Sequence, residues 1–297
     1  PPINSYEEQL NLMVASGDYP DLVQFMSTGA ANFQDSAENG ILLPLDDYIE
    51  NYPNLQAYID PASWTAMRSA VSDGKLYGVP YTDNTWFMYY NKSKITEDEA
   101  KDFDTILSKA KVAFSLQNSW YINGFYDGLS LFGEKGNDAD AGMVFPKDGA
   151  DITSYLVDVV ANPNFSNDDG ASGLAAIKDG SADVLFSGTW SAKDVKEALG
   201  DNYAATSLPT FTVNGQKKQM KSFAATKAAA YNPNAKNPKA AAQFAAYLGS
   251  TEAQKLHYEM RAIPPTDKSL SDLTTDDIAA KAQADTMANT ALLQSGL

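Results

Sequence analysis

The sequence contains no cysteine and a single histidine, His257. The absence of thiols excludes a disulfide framework, Cys-ligated zinc, iron–sulfur clusters and thiolate catalysis. A serine nucleophile would have only that one imidazole as its base, and His257 stands in no recognisable triad context. No run of Lys or Arg supplies the positive face that a phosphate backbone needs, so nucleic acid is not an expected partner. No stretch approaches the roughly 20 apolar residues of a membrane span. Neither a P-loop nor a GxGxxG fingerprint follows any strand-like segment. What the chain does have is 297 residues with 22 Lys and Arg against 38 Asp and Glu, a formal net charge of −16. Hydrophobic residues make up 44% and aromatics 11%, which fits folded domains rather than disorder, at a length suited to two of them. The chain opens with Pro1 and Pro2 instead of Met, as a processed or trimmed product does, and any export signal or lipid anchor would lie upstream.

Strand-like and helical segments alternate, which argues for the α/β class. A helix is expected from Tyr6 to a break at Gly17, followed by a strand from Leu22. Asp73–Gly74 reads as a hairpin turn leading into a strand with Leu76, Tyr77 and Val79, and Thr85 to Tyr90 as a second, aromatic strand. Thr96 and Glu99 have the spacing of a capping box at the start of a helix over 95–111. Residues 112–117 and 182–190 read as strands, the second running into a Gly-Thr-Trp turn. Residues 119–133 read as an aromatic helix, and 151–161 and 171–180 as amphipathic helices. Asn214–Gly215 marks a hairpin, and 238–260 two helices broken at Gly249 with Ser250 as a new cap. Carboxylate pairs such as Asp46–Asp47, Asp168–Asp169 and Asp276–Asp277 fall at expected helix N-termini, where negative charge is stabilised by the helix dipole. That placement favours capping over the facing acid pair of a glycoside hydrolase. The acidic loop 137–142 lacks calcium-loop spacing.

Five segments stand in an order that resembles a known family: ASGDYPDLV (15–23), DGKLYGVPYTDNTWFMYYNKSKI (73–95), DGSADVLFSGTW (179–190), LPTF (208–211) and NPKAAAQFAAYLGSTEAQKLHYE (237–259). The chain is similar to the extracellular solute-binding proteins of carbohydrate ABC importers, of the Gram-positive maltodextrin-binding type. The resemblance implies a periplasmic-binding-protein-like fold, two α/β lobes joined by a multi-strand hinge with the ligand cleft between them. Lobe 1 would comprise 1–84 plus 222–265 and lobe 2 would comprise 85–221 plus 266–297, with crossings near 84–87 and 221–223. It implies an oligosaccharide ligand, a maltodextrin-type α-glucan first, with a different glycan or a peptide as the alternative, importer membrane subunits as partners, and a monomer outside the cell, lipid-anchored or periplasmic. No cofactor, metal or catalytic residue is implied. Against the family pattern the chain reads as short at both ends, lacking an opening strand and helix and a closing aromatic-bearing helix.

A sugar site needs flat aromatic rings for C–H faces and planar polar groups for hydroxyls. Trp190 follows a strand, at the carboxyl end where open α/β sheets bind ligands, and the resemblance makes it a stacking residue; the competing reading is a core Trp closing a turn. Trp120 and Tyr121, after Asn118, match the second lobe's stacking position, with one of the two expected to face the cleft and burial between helix and sheet as the alternative. Trp86, Asp83 and Asn84 lie on the proposed crossing and are candidates for ligand contact, with hinge packing as the other reading of Trp86. Phe25 takes the position of a first-lobe stacking aromatic, although Ser27 and Thr28 stand where relatives often carry charge. Arg261 is a candidate for paired hydrogen bonds to hydroxyls or a charge at a helix C-terminus. Trp64 reads as core, and His257 as a surface or packing residue. Tyr89 and Tyr90 have the look of the paired tyrosines of ferric-ion receptors, but adjacent strand residues point to opposite faces.

Overall fold

In the computed structural model, which describes residues 6–17, 20–25, 31–49, 53–127, 129–131 and 140–293, thirteen strands are built. The positions of Ser27 and Thr28 and residues 137–139 of the acidic loop lie outside the described residues. β1 (Leu22–Phe25), β2 (Val79–Asn84), β3 (Phe87–Asn91) and β4 (Val112–Phe114) come first. The short β5 (Ser130–Leu131) and β6 (Met143–Val144) pair with each other, ahead of β7 (Phe165–Asn167), β8 (Val184–Ser187) and β9 (Tyr203–Thr206). β10 (Thr210–Val213) and β11 (Gln216–Gln219) form a hairpin, and β12 (Ser222–Tyr231) and β13 (Ala291–Leu293) complete the set.

Two main sheets result. The first is built on the long β12, which pairs antiparallel with β1 and β2 and parallel with β13. The second has the order β7-β4-β8-β3-β9, in which β7, β4 and β8 run parallel and β3 runs antiparallel to both its neighbours. Each sheet has its own core. Residues between Leu10 and Val79 and between Ala228 and Ala246 bury one another on the first sheet. There Ala228, Ala229 and Ala230 of β12 and Ala241, Ala242, Ala245 and Ala246 of the helix Pro238–Leu248 lie in the same core, small side chains that let helix and strand approach closely. The second sheet is covered on both faces. Trp86, Met88 and Tyr90 enter one core and Phe87 and Tyr89 the other, as the period of two requires. Ala279 and Ala282 of the late helix Ile278–Asn289 join this second body, although β12 and the helix Pro238–Leu248 of the first body precede them in the chain.

Several local expectations hold at the level of atoms. Asn214 (φ +51°) and Gly215 (φ +76°) make the β10–β11 turn, a conformation that favours this residue pair. The Ser250 hydroxyl caps the helix Thr251–Arg261 by accepting from the Ala253 N–H. The Thr96–Glu99 box forms in both directions, but it opens a short 3-10 turn, Glu99–Lys101; the helix proper, Phe103–Lys109, is capped by Asp102.

Two expectations are corrected. Asp73–Gly74 does turn, with Gly74 at φ +67°, yet no hairpin follows and the strand starts only at Val79. The Leu76 N–H donates to the Asp46 carboxylate (3.0 Å) and its carbonyl accepts from the Leu45 N–H (2.6 Å), so its backbone is spent on a loop and not on a ladder. The aromatic helix expected over 119–133 is one α-turn, Ser119–Ile122, followed by a 3-10 turn, Asn123–Phe125. Gly124 has the backbone of Lys221 directly against it, and that tertiary contact sets where the helical path ends.

Candidate functional site: a cleft between two sheets

The chain passes between the sheets at places that touch one another. β2 ends at Asn84 in the first sheet and β3 begins at Phe87 in the second, so Thr85 and Trp86 make the crossing. A second crossing leads from the β10–β11 hairpin through Lys221 to β12. The buried Thr85 hydroxyl donates to the Ser222 hydroxyl at 2.6 Å, tying the two crossings together. The Lys221 N–H donates to the Gly124 carbonyl at 2.8 Å, and the Trp86 indole N–H donates to the Trp120 carbonyl at 2.9 Å. A third connection runs through Pro264 to Asp267. Thr266 from this connection, Ser63 and Thr226 all donate hydroxyls to the Asp83 carboxylate, at 3.0, 2.7 and 2.7 Å. Burial pushes the Asp83 carboxyl above its ordinary pKa while these three hydroxyls pull it back. Asp83 is therefore a structural knot at the crossings.

Beside the knot stands Trp190, in a 3-10 turn (Thr189–Ser191) after β8. Its indole folds back over Gly188, where a Cβ would come within 2.0 Å of the ring, so the residue two before the Trp has to be glycine. The turn is pinned by the Tyr89 hydroxyl donating to the Gly188 carbonyl (2.9 Å), by the Ser187–Ser191 hydroxyl pair (2.9 Å), and by Thr189 donating to Gln283 (3.2 Å). Gln283 donates in turn to the Asp83 carbonyl at 3.0 Å, which links the Trp190 turn to the knot. Trp190 keeps 37% of its surface exposed. Trp120 stacks on it with ring centroids 5.9 Å apart and planes inclined by 29°. Asn118 holds Trp120 in place by accepting its backbone N–H at 2.9 Å.

A lysine of β12 meets this aromatic pair, and its charge is felt together with that of Arg261 at the end of the helix Thr251–Arg261. The Lys227 ammonium lies 5.7 Å from the Trp190 ring centre, a cation–π contact. Burial, then the charge of Arg261, lowers the Lys227 pKa to about 8. His257 packs 5.5 Å from the Tyr81 ring, and burial, Arg261 and Lys227 all hold its pKa below the ordinary imidazole value. Gln24 of β1 donates to the Tyr81 hydroxyl nearby.

Trp190, Trp120, Asn118 and Asn84 are thus brought to one neighbourhood, and Arg261, exposed at its helix end, faces the same cluster through its charge on Lys227. Other expected contacts fall elsewhere. Trp86 is fully buried, stacked on Tyr121 at 5.0 Å and edge-on to Phe114, with no ring face left for a ligand. Tyr121 is the buried partner of the Trp120–Tyr121 pair, its pKa driven up by that burial, and Trp120 is the one that stacks on Trp190. Phe25 is fully buried against Phe33, because it lies on the core face of β1; Gln24, one residue earlier, takes the other face. Asp83 serves the crossings. Tyr89 and Tyr90 point to opposite cores, and no group of three metal-ligating side chains comes together among the described residues.

Asp168, Asp169 and Asp277 act as caps, whereas Asp46 accepts from Arg68 and from the Leu76 N–H. Asp168 accepts from the N–H groups of Gly170 and Gly173, Asp169 from Ala171 and Ser172, and Asp277 from Ala280. Lys109 and the Thr96 cap hold Glu99 down to about 2. Lys227 and Gly188 were not singled out from the sequence. For Lys227 there was a signal: it is the one charge in the ten-residue strand SFAATKAAAY.

Comparison with known proteins agrees with this architecture. Residues 2–287 match the family described as "Bacterial extracellular solute-binding protein". A maltooligosaccharide ABC transporter solute-binding lipoprotein of Streptococcus pneumoniae is 29% identical over 209 residues, 63% of this chain and 48% of that one. A galactooligosaccharide-binding protein of Bacillus subtilis is 27% identical over 226 residues, 69% of this chain and 53% of that one. A solved structure with acarbose superposes with a TM-score of 0.85 at 34% identity, covering 98% of this chain and 76% of that one. The matched region spans about half the length of the curated relatives.

Proposed function

This chain belongs to the bacterial extracellular solute-binding proteins, and on that premise we propose that it captures an oligosaccharide in the cleft beside Trp190 and delivers it to an ABC importer. The observation that carries the reading is the Trp120–Trp190 stack at the crossings between the sheets, flanked by amide, guanidinium and ammonium groups. Indole faces receive the C–H side of a sugar ring and the polar groups receive its hydroxyls. The preferred ligand is a maltodextrin-type α-glucan, in keeping with the S. pneumoniae relative and the acarbose-bearing structure; a galacto-oligosaccharide, as the B. subtilis relative's name indicates, is the second reading.

The lobes are assigned as 1–84 with 222–265 and 85–221 with 266–297. The separate cores support this division, as does the packing of Ala279 and Ala282 with the second sheet; β13, which pairs with β12 of the first sheet, is the exception. Trp190, Trp120, Asn118, Asn84 and Arg261 would contact the ligand; Tyr121, Trp86 and Phe25 would support them. Ligand binding favours the closed arrangement of the lobes to the extent that both contact the sugar. The protein works as a monomer at the outer face of the membrane through a lipid anchor, with importer membrane subunits as its partners, and does no chemistry on its ligand. That last point is supported by the capping roles of Asp168 and Asp277.

Calorimetric titration with maltotriose and with a galactotriose tests the reading. One of the two should bind, with Trp190→Ala weakening it more than tenfold and chromatography showing the sugar unchanged after long incubation. Equal affinity in Trp190→Ala would remove the site assignment, and sugar cleavage would replace the receptor with a hydrolase.

A further inference from the structure

The ribbon formed by β2 and β12 has two faces of different polar character. Thr82 pairs with Lys227, Asp83 with Thr226 and Asn84 with Ala225. Strand alternation therefore puts Thr82, Asn84, Ala225 and Lys227 on one face and Asp83 and Thr226 on the other. On the Asp83 face, both carboxylate oxygens and the Thr226 hydroxyl are hydrogen-bonded. On the opposite face Thr82 is satisfied by the Pro264 carbonyl at 2.7 Å, but two of its neighbours are not. Lys227 is only 6% exposed, and among the described residues its ammonium has neither a hydrogen bond nor an ion pair. Asn84 Oδ1 is buried and accepts no hydrogen bond among them. A second buried atom without a partner, Trp120 Nε1, lies on the residue that stacks against Trp190.

A buried, unpaired polar group loses the hydrogen bonds it made to water, and a buried charge loses more. The Trp190 indole returns only part of the cost of Lys227. Nearly all buried polar atoms in folded proteins find partners, so two without one, Asn84 Oδ1 and Trp120 Nε1, and an ammonium whose one contact is the Trp190 ring call for a common explanation. Their chemistry restricts what can satisfy them. Lys227 and Trp120 need acceptors, whereas Asn84 Oδ1 needs a donor. A carboxylate or phosphate would answer the first two and be repelled by the third. A hydroxyl both donates and accepts, so adjacent hydroxyls on one ring answer all three. Diagonal neighbours on a ribbon, as Asn84 and Lys227 are, stand about 7–8 Å apart, a span that one pyranose with its hydroxyls bridges.

We propose that Lys227, Asn84 and Trp120 form a hydroxyl-binding subsite that holds one neutral sugar ring against Trp190. This inference rests on the receptor reading above, and it makes a lysine on the central strand of the first sheet a ligand-contacting residue.

The test is calorimetry of the full chain with maltotriose, or galactotriose if that is the sugar it binds, alongside the melting temperature of each sugar-free variant. Lys227→Met should bind at least tenfold more weakly, with a melting temperature equal to or above that of the wild type. Asn84→Ala should weaken binding severalfold. Lys227→Gln, which keeps a donor, should fall between wild type and Lys227→Met. Wild-type affinity in Lys227→Met, together with weak binding by Trp190→Ala, would overturn the subsite and leave the receptor reading standing. A wild-type protein that binds neither sugar would overturn the receptor reading and the subsite with it. Tighter binding of an analogue ending in a uronic acid than of the neutral trisaccharide would overturn the assignment to hydroxyls.

Discussion

Thr85 and Ser222, 137 residues apart in the chain, share a hydroxyl–hydroxyl hydrogen bond of 2.6 Å at the point where two crossings between the sheets touch. Both are fully buried, so neither hydroxyl has water to turn to if the other is removed. Thr85→Val and Ser222→Ala are each expected to cost about 1–2 kcal/mol. The double variant should cost little more than either single one, leaving a coupling of about 1 kcal/mol in a urea-unfolding cycle. Additive losses would mean that the bond does not form in solution.

Gly124 is the most constrained glycine at the crossings. A Cβ there would stand 2.1 Å from the Lys221 carbonyl oxygen and 3.0 Å from the Trp86 ring, and the first of these is backbone that cannot swing aside. Gly124→Ala should therefore force the two segments apart, strain the Lys221–Gly124 hydrogen bond and cost about 3 kcal/mol. Thermal unfolding reads this directly, and a variant as stable as the wild type would show that the approach is looser than described.

Asp83→Ala removes the acceptor of three hydroxyls, from Ser63, Thr226 and Thr266, which belong to three separate parts of the chain. The expected loss is about 2–3 kcal/mol, since the hydroxyls are left in a partly buried site. Because both Asp83 carboxylate oxygens are taken by hydroxyls of the chain itself, sugar affinity measured well below the melting temperature should change less than for Trp190→Ala. A variant that keeps full stability and loses binding would return Asp83 to the ligand site.

Lys227 sets a pH signature. Its pKa in the folded protein is about 8 against an ordinary 10.5, so between these values the unfolded chain holds the proton that the folded protein has released. Stability linked to this group consequently rises with pH across that window, and the burial penalty is fully present below about pH 8. The gap is worth about 3 kcal/mol at most, less the cation–π contact that is lost with the charge. Lys227→Met should melt above the wild type at pH 7, and the difference should shrink towards pH 10. A difference that stays constant with pH would assign the effect to packing instead of charge.

The sequence by itself determined the local grammar and the family. Asn214–Gly215 specified a hairpin and Ser250 a helix start, since turns with positive φ and orphan N–H groups accept few residue types. The alternation of Phe87, Met88, Tyr89 and Tyr90 fixed that the second sheet is covered on both faces. The order of five segments was enough to identify a solute-binding protein. Only the tertiary structure decided which aromatics meet the cleft. Trp86 and Trp190 are alike in composition and near the same crossings, but one is enclosed by Phe114, Tyr121 and Phe186 and the other is held out by a turn resting on Gly188. Phe25 takes the core face and Gln24 the other, because a one-residue step along a strand reverses the face. Asp83 and Lys227 show the same limit. Whether a polar side chain is satisfied or left waiting for a ligand depends on partners more than a hundred residues away, and no local spacing encodes them.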